Sequence, residues 1–561
     1  MAVLAAPYRP RRPHETALYR AVHRHLETFI AHAAETYDAP LPKYVQEELR
    51  RYLRCGDFAQ GFTHARCEAC GHDLLVAFSC KARGACPSCA GRRMANTAAH
   101  LVDRVIPAVP VRQWVLSLPF ELRARAAFDA KVLTALVRAF AKALGARHRS
   151  WARSLGIEAE FGAITFVQRF GSSLNLNVHF HVVVIDGVFS RDDERRLLFT
   201  PAPPPTRAEM LTVVGHVRER ATKLLRQCAD EADEDTRHKP LDTCAQIALG
   251  RGDVRAVGDD DDDAADEVAV PHREGEAVDD AGFNLEASVR IDAADDFGRE
   301  HLLRYCARPP LSLARLRELP GGKLAYRIKK LPNGRAKVRV MTPLELLARL
   351  AALVPPPRHP LVRFHGVVAP RSSWRRDVVP KSPEERKHPF HHATPNRPKT
   401  EREPNDEPTR AAKPTAPSPR SPLALVPHSE LIAPNVLSVS HWNRLRSGAL
   451  LATSPRVDWA SLLRRTFDAD VLECPKCAGR LRVLGVVDEP DVVRAFLNEL
   501  AIAPLHPAVE HATRRRSSPT TNPTADNAQQ PLARTATSAL KVVKWSAFSA
   551  TLNEWSKRSG A

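Results

Sequence analysis

Apolar residues recur at helical spacing from about His14 to Arg54. Tyr19, Val22, Leu26 and Phe29 share one face, and Ala39-Pro40-Leu41-Pro42 interrupts the period, which predicts two amphipathic helices. Arg112–Leu118 reads as a strand, and a long helix follows with Phe128, Val132, Leu136, Phe140 and Leu144 along one side. Two further strands are expected at Phe161–Arg169 and Val178–Phe189. Thr206 with Glu209 three residues on forms a capping box, opening a helix that turns Met210, Val214, Val217 and Leu224 inward. Lys323–Leu331 and Arg335–Met341 flank Pro332-Asn333-Gly334, a hairpin signal, and Thr342-Pro343-Leu344-Glu345 starts another helix.

The pattern lapses in three places. Residues 253–281 are acidic, with the run Asp259–Asp263 and no apolar period, and read as a disordered surface insert. Residues 380–433 are rich in Pro, charge and Thr and read as a flexible linker; a small module follows over 434–507, and 508–561 reads as a flexible tail. At 561 residues the chain exceeds one compact domain. Its formal net charge of +19 points to a polyanionic partner, nucleic acid before membrane. No stretch approaches the ~20 apolar residues of a spanning helix, and the first residues lack the apolar run of a signal peptide. An intracellular chain with reduced cysteines is therefore expected.

Cysteines in CxxC pairs in a reducing compartment read as metal ligands. Cys67 and Cys70, with Cys86 and Cys89, form CxxC…CxxC, and a hairpin between the pairs would fold one onto the other around a structural Zn²⁺. Four thiolates leave no open position, so that ion would hold the fold and catalyse nothing. Cys55 and Cys80 are left over and read as buried thiols, with replacement of one of the four ligands as the alternative for Cys80. The nearby Lys81, Arg83, Arg92 and Arg93 are candidate DNA contacts. Cys474 and Cys477 form a lone CxxC, read as a structural turn or an incomplete zinc knuckle.

Strand alternation puts His179 and His181 on one face of a strand, with Phe180, Val182 and Val184 on the other. Two such imidazoles can ligate one ion, although the pattern alone more often marks two partly exposed histidines on an ordinary sheet face. Gln168-Arg169-Phe170-Gly171-Ser172 before the pair, Val178-His179-Phe180-His181 itself, and Ile185-Asp186-Gly187-Val188-Phe189 after it resemble the His-hydrophobe-His (HUH) core of rolling-circle transposases of the IS91 type. Phe78–Cys89 is similar to that family's N-terminal zinc-binding segment, and Arg304-Tyr305-Cys306-Ala307-Arg308-Pro309-Pro310-Leu311 to its nucleophile motif.

The resemblance implies an α+β chain: N-terminal helices and a zinc-binding domain over 1–110, then an antiparallel-sheet HUH endonuclease domain over 111–379. It implies a bacterial, cytoplasmic enzyme, nucleoid-associated when bound to DNA. Such an enzyme cuts single-stranded DNA at element ends by tyrosine attack, leaves a 5′-phosphotyrosine and a free 3′-hydroxyl, and rejoins strands without ATP. Some members carry two tyrosines four residues apart; here the earlier position is His301, as in the single-tyrosine branch.

The residues narrow the nucleophile independently. Only Tyr305 and Tyr326 follow the histidine pair. Tyr305 lies on a helix expected over Arg299–Ala307 and stopped by Pro309-Pro310, whereas Tyr326 alternates with Leu324 and Ile328 on a strand. Arg308, one turn after Tyr305, is the candidate for neutralising the scissile phosphate, with Arg304 less well placed. Gln168 is the expected third ligand beside His179 and His181, with Asp186 as the alternative, and the ion would be Mg²⁺ or Mn²⁺. In the basic hairpin, Lys323, Arg327 and Lys329 are expected to face Arg335, Lys337 and Arg339 across the strands. Such repulsion would be relieved by a DNA backbone. The rival readings are a non-catalytic zinc-ribbon DNA-binding protein and a metal-dependent hydrolase of small phosphoesters; the second leaves the positive charge unexplained.

Overall fold

The computed structural model describes residues 11–37, 40–230, 240–249, 254–256, 277–328, 337–380, 391–392, 460, 462–463, 465 and 470–502. The chain is α+β. Helices α1 (Ala17–Tyr37) and α2 (Lys43–Leu53) lead into a hairpin of β1 (Phe62–Cys67) and β2 (Asp73–Ala77), followed by α3 (Pro87–Arg104). Next come β3 (Val111–Ser117), α4 (Phe120–Phe128), α5 (Ala130–Ser154), β4 (Gly162–Phe170), β5 (Leu176–Ile185), β6 (Gly187–Arg191) and β7 (Leu197–Pro201). Helices α6 (Arg207–Asp230) and α7 (Pro240–Leu249) precede the short strands β8 (Val254–Ala256), β9 (Val278–Asp280), β10 (Phe283–Glu286) and β11 (Arg290–Ile291). Helix α8 (Asp296–Cys306) is followed by β12 (Leu316–Glu318), β13 (Leu324–Ile328), β14 (Lys337–Met341), α9 (Pro343–Leu353), β15 (Val362–Gly366) and α10 (Arg375–Val378). Strands β16 (His391–His392) and β17 (Leu481–Val487) and helix α11 (Pro490–Glu499) complete the described elements.

The central sheet runs β15-β4-β5-β3-β10-β9, with β11 also on β3, and every pairing in it is antiparallel. Alternation along β5 sorts its two faces. Phe180, Val182 and Val184 join Trp114, Leu116, Phe140 and Leu144 in the larger apolar core. Val183 and Ile185 join Ile164, Phe166, Leu302 and Leu303 in a second core under α8. Burying side chains of this size stabilises by roughly 1.5–3 kcal/mol each, so the alternation fixes which face the histidines occupy.

Local chemistry accounts for the element ends. Asp129 caps α5, accepting from the backbone N–H groups of Lys131 and Val132, and Asp295 caps α8 by accepting from Gly298 N–H. The capping box at α6 forms as expected: Thr206 N–H donates to Glu209 at 2.7 Å, and Glu209 N–H donates to the Thr206 hydroxyl at 3.2 Å. Gly366, at φ +59°, lies where any Cβ would collide with the Phe161 carbonyl oxygen.

Several expectations need correction. The helix expected through Phe128 is two helices, broken where Asp129 turns its side chain back to cap the second. The strand expected over Val178–Phe189 is likewise two, parted at Asp186. The acidic insert is not structureless at its ends: Val254–Ala256 pairs with β14, and Val278–Asp280 is the edge strand of the central sheet. Within the expected linker, His391–His392 pairs in parallel with β7. The Asp259–Asp263 run and the tail beyond 507 lie outside the described residues. Among the described residues no helix is long and apolar enough to cross a membrane.

The C-terminal part reaches back to the body at Arg465, which is 1 % exposed. Its guanidinium donates to both carboxylate oxygens of Asp103 on α3 and, at 2.8 Å, to Glu300 on α8. A buried carboxylate deprived of its cation is strongly unfavourable. Arg465→Ala is expected to destabilise the protein by about 3–5 kcal/mol, read as a lowered urea midpoint, because it strips the charge partner from Asp103.

Candidate active site and thiolate clusters

The register of β4 on β5 sets Gln168 directly opposite His179 and Phe166 opposite His181, and β3 brings Ser117 and Val115 alongside. The two imidazoles stand edge to face with ring centres 4.9 Å apart. The Tyr305 ring, carried by α8, meets His181 edge-on at 5.5 Å. The Arg308 guanidinium lies 4.8 Å over the Tyr305 ring and 5.4 Å over Phe170. Five residues from β4, β5 and the α8 region thus converge: Gln168, His179, His181, Tyr305 and Arg308.

Hydrogen bonds set the state of each donor. His179 Nδ1–H donates to the Asn177 carbonyl at 2.8 Å, which leaves a lone pair on Nε2. Burial lowers the His179 pKa to about 4, outweighing the raising pull of that bond, so the ring is neutral at pH 7. The Gln168 amide nitrogen donates to the carbonyls of Tyr305 and Cys306 at 3.0 and 2.9 Å, pinning the end of α8 to the sheet. Its Oε1 is buried and has no hydrogen-bond partner. Gln113, a polar residue in an otherwise buried strand, donates from its amide nitrogen to His181 Nδ1 at 2.8 Å. Turning that amide end for end would make Oε1 the acceptor for Nδ1–H and place the ring's lone pair on His181 Nε2. Two imidazole nitrogens and one unpartnered amide oxygen are a donor set that fits a divalent cation.

Asp186 does not belong to this set. Its carboxylate is 2 % exposed and is held by Arg112 at 2.8 and 3.0 Å and by Arg290 at 2.8 Å. Arg304 is also excluded: it is 1 % exposed and paired with Glu300. Tyr326 is buried on β13, as its alternation implied. A cleft of about 100 Å³ opens beside the site, lined by Gln168, Phe170, Cys306 and Arg308 and, from the zinc-binding segment, by Arg83 and Arg93.

The four cysteines expected around one ion do not meet. Cys67 and Cys70 sit at the tip of the β1–β2 hairpin, whereas Cys86 and Cys89 open α3 beyond its base. Five residue steps of an extended strand separate tip from base by ~17 Å, too far for one tetrahedral ion. Instead the hairpin base assembles Cys55, Cys80, Cys86 and Cys89, with every Sγ within 4.8 Å of the others. Cys55, read as a spare thiol, is a member of this cluster, and so is Cys80, for which the ligand alternative holds over the buried thiol. Backbone N–H groups of Cys80 and Ala82 donate to Cys55 and Cys80 sulfurs at 3.4 Å, and Glu48 accepts from the N–H groups of Gly84 and Ala85, fixing the loop. The N-terminus of α3 lies at the cluster and favours thiolate charge.

The basic hairpin is also corrected. Tyr326 faces Arg339, Arg327 faces Val338 and Ile328 faces Lys337, because the partner numbers across the turn sum to an odd value and each of these three basic residues falls opposite an apolar or aromatic one. Arg339 is 2 % exposed, next to Arg349 and Glu345, and is no surface contact. Lys323 is exposed and Arg327 half-buried; Lys329, Arg335 and the Lys337 side chain lie outside the described residues.

Two family models match the chain. Residues 21–118 match the transposase zinc-binding domain of the IS91 type, and residues 162–376 match a transposase family. Together they span more than half of the sequence. No curated protein and no solved structure matches it.

The depressed pKa of His179 predicts a pH dependence in metal-free protein. Its folded value of about 4 lies below the 6.5 of a free imidazole, so the unfolded chain binds the extra proton and stability falls as pH drops from 6.5 toward 4. His148 and His365, each lowered by burial to about 4, act in the same window. His179→Gln is expected to make the fall in urea midpoint between pH 7 and pH 4.5 shallower than in the unsubstituted protein.

Proposed function

The chain belongs to the IS91 transposase family and carries that family's N-terminal zinc-binding domain, and from this premise we propose that it nicks and rejoins single-stranded DNA through a tyrosine. The observation that carries the reading is the edge-on contact of Tyr305 with His181 under the Arg308 guanidinium. The site brings a phenol, two imidazoles and a guanidinium from separate parts of the sequence to one spot.

Tyr305 Oη gives its proton to solvent and attacks the scissile phosphorus. The P–O3′ bond breaks, a 5′-phosphotyrosine forms, and the 3′-oxygen leaves and takes up a proton. Attack by a 3′-hydroxyl on the same phosphorus reverses the exchange and releases the tyrosine, which conserves the bond energy. Arg308 holds the phosphate and offsets charge developing on the phenolic and phosphoryl oxygens. Gln168 positions the nucleophile by tying the α8 backbone to the sheet. Gln113 orients His181. A divalent cation held by His179, His181 and Gln168, with Mn²⁺ suited at least as well as Mg²⁺, would supply Lewis-acid polarisation of the phosphate. Lys323, Arg327 and the cleft residues Arg83 and Arg93 are the candidate contacts for the rest of the strand.

Labelled single-stranded DNA bearing element ends, incubated with the protein and Mg²⁺ or Mn²⁺, is expected to yield a denaturation-resistant protein–DNA adduct. Tyr305→Phe should reduce the adduct to background, and Arg308→Ala should slow its formation by ~10²–10³-fold, the usual effect of removing one charge-stabilising donor. DNA retention without an adduct in the unsubstituted protein would establish the non-catalytic reading instead.

A further inference from the structure

Cys67 and Cys70, displaced from the expected site, are not left alone. Cys67 Sγ lies 3.5 Å from Cys477 Sγ, 410 positions away, and Cys70 Sγ lies 3.6 Å from Cys474 Sγ, 404 positions away. All four sulfurs fall within 4.8 Å of one another. A bonded disulfide needs about 2.05 Å, whereas a tetrahedral Zn²⁺ with Zn–S near 2.3 Å sets its sulfurs ~3.8 Å apart. The spacing fits the metal and not the disulfide.

The surroundings are those of a zinc knuckle on each side. Backbone N–H groups of Ala69 and Cys70 point at Cys67 Sγ, and Gly479 N–H donates to Cys477 Sγ at 3.4 Å. Cys474 N–H donates to the Gly479 carbonyl at 2.7 Å, and Ala478 takes φ +56° to close the turn. A Cβ on Gly479 would meet Ala69 Cβ at 3.0 Å and the sulfurs of Cys477 and Cys67 at 3.2 and 3.3 Å, so glycine is what lets the two turns approach. Strand β17 pairs along the whole of β1, ending with Leu481 opposite Cys67. Phe62 and Leu75 of the hairpin pack with Val493 and Leu497 of α11.

We propose that Cys67, Cys70, Cys474 and Cys477 bind a second structural Zn²⁺, which staples the C-terminal segment onto the N-terminal hairpin. The Cys474/Cys477 half lies outside both family matches, whereas the Cys55/Cys80/Cys86/Cys89 cluster lies wholly inside the zinc-binding one. The chain therefore holds two closed thiolate sites with different tasks. The first holds the loop at the start of α3; the second joins chain ends that sequence separates. Arg465, buried between α3 and α8 just before this segment, anchors the same stretch independently. The proposal does not depend on tyrosine chemistry.

The test is metal content of the reduced full-length protein purified with zinc. Elemental analysis should give at least two Zn²⁺ per chain and one fewer in Cys474→Ser/Cys477→Ser, whatever the histidine site holds, with faster proteolytic loss of the C-terminal segment in that variant. Fewer than two Zn²⁺ per unsubstituted chain, or equal Zn²⁺ content in the two proteins, overturns the proposal. A measurement that needs no variant is cobalt substitution of the unsubstituted protein. Thiolate-to-cobalt charge-transfer absorption that saturates at two equivalents supports the second site, and saturation at one equivalent refutes it.

Discussion

The structure depends on burying polar groups on a sheet face that is otherwise apolar. His179, His181, Gln168 and Gln113 lie under α8 among Ile164, Phe166, Val183 and Leu302, and each is buried. A buried polar group without a partner costs about 1–3 kcal/mol, so an arrangement with several of them persists only where partners are built around it. The Asn177 carbonyl, the Gln113 amide and the backbone end of α8 are those partners, and the Gln168 oxygen left over faces the histidines' side of the sheet. The same bonds that settle the buried groups hold the tyrosine helix in place, so burial and positioning are one constraint.

That constraint extends to the zinc-binding domain. Cys86 and Cys89 open α3, and α3 packs against α8 and shares Asp103 and Glu300 with Arg465. Arg83 of the metal loop donates to the carbonyls of Pro356 and His359, seating the loop beside β15. The thiolate site is therefore mechanically continuous with the helix that carries Tyr305. The domain that holds metal also lines the cleft at the tyrosine.

Much of the fold was legible because periodicity reports burial directly. Val132, Leu136, Phe140 and Leu144 are core residues of α5, and the two faces of β5 separate as alternation requires. The errors have local physical causes. Asp129 and Asp186 are short carboxylates in apolar runs, and each ends an element: one by capping a helix, the other by collecting two arginines. Face assignment in the basic hairpin failed because strand parity depends on how many residues the turn uses, which composition does not reveal.

The sequence by itself determined the thiolate turns, the histidine pair and the tyrosine helix, since each is set by contacts within a few residues. It could not determine which turns share an ion or what orients each imidazole. Those matters depended on the length of a rigid hairpin, on a strand arriving from the far end of the chain, and on Gln113 lying across the sheet from His181. Spacing along a chain constrains only local geometry; a tetrahedron of sulfurs or a network around a buried ring is closed by whatever the packed core brings within reach.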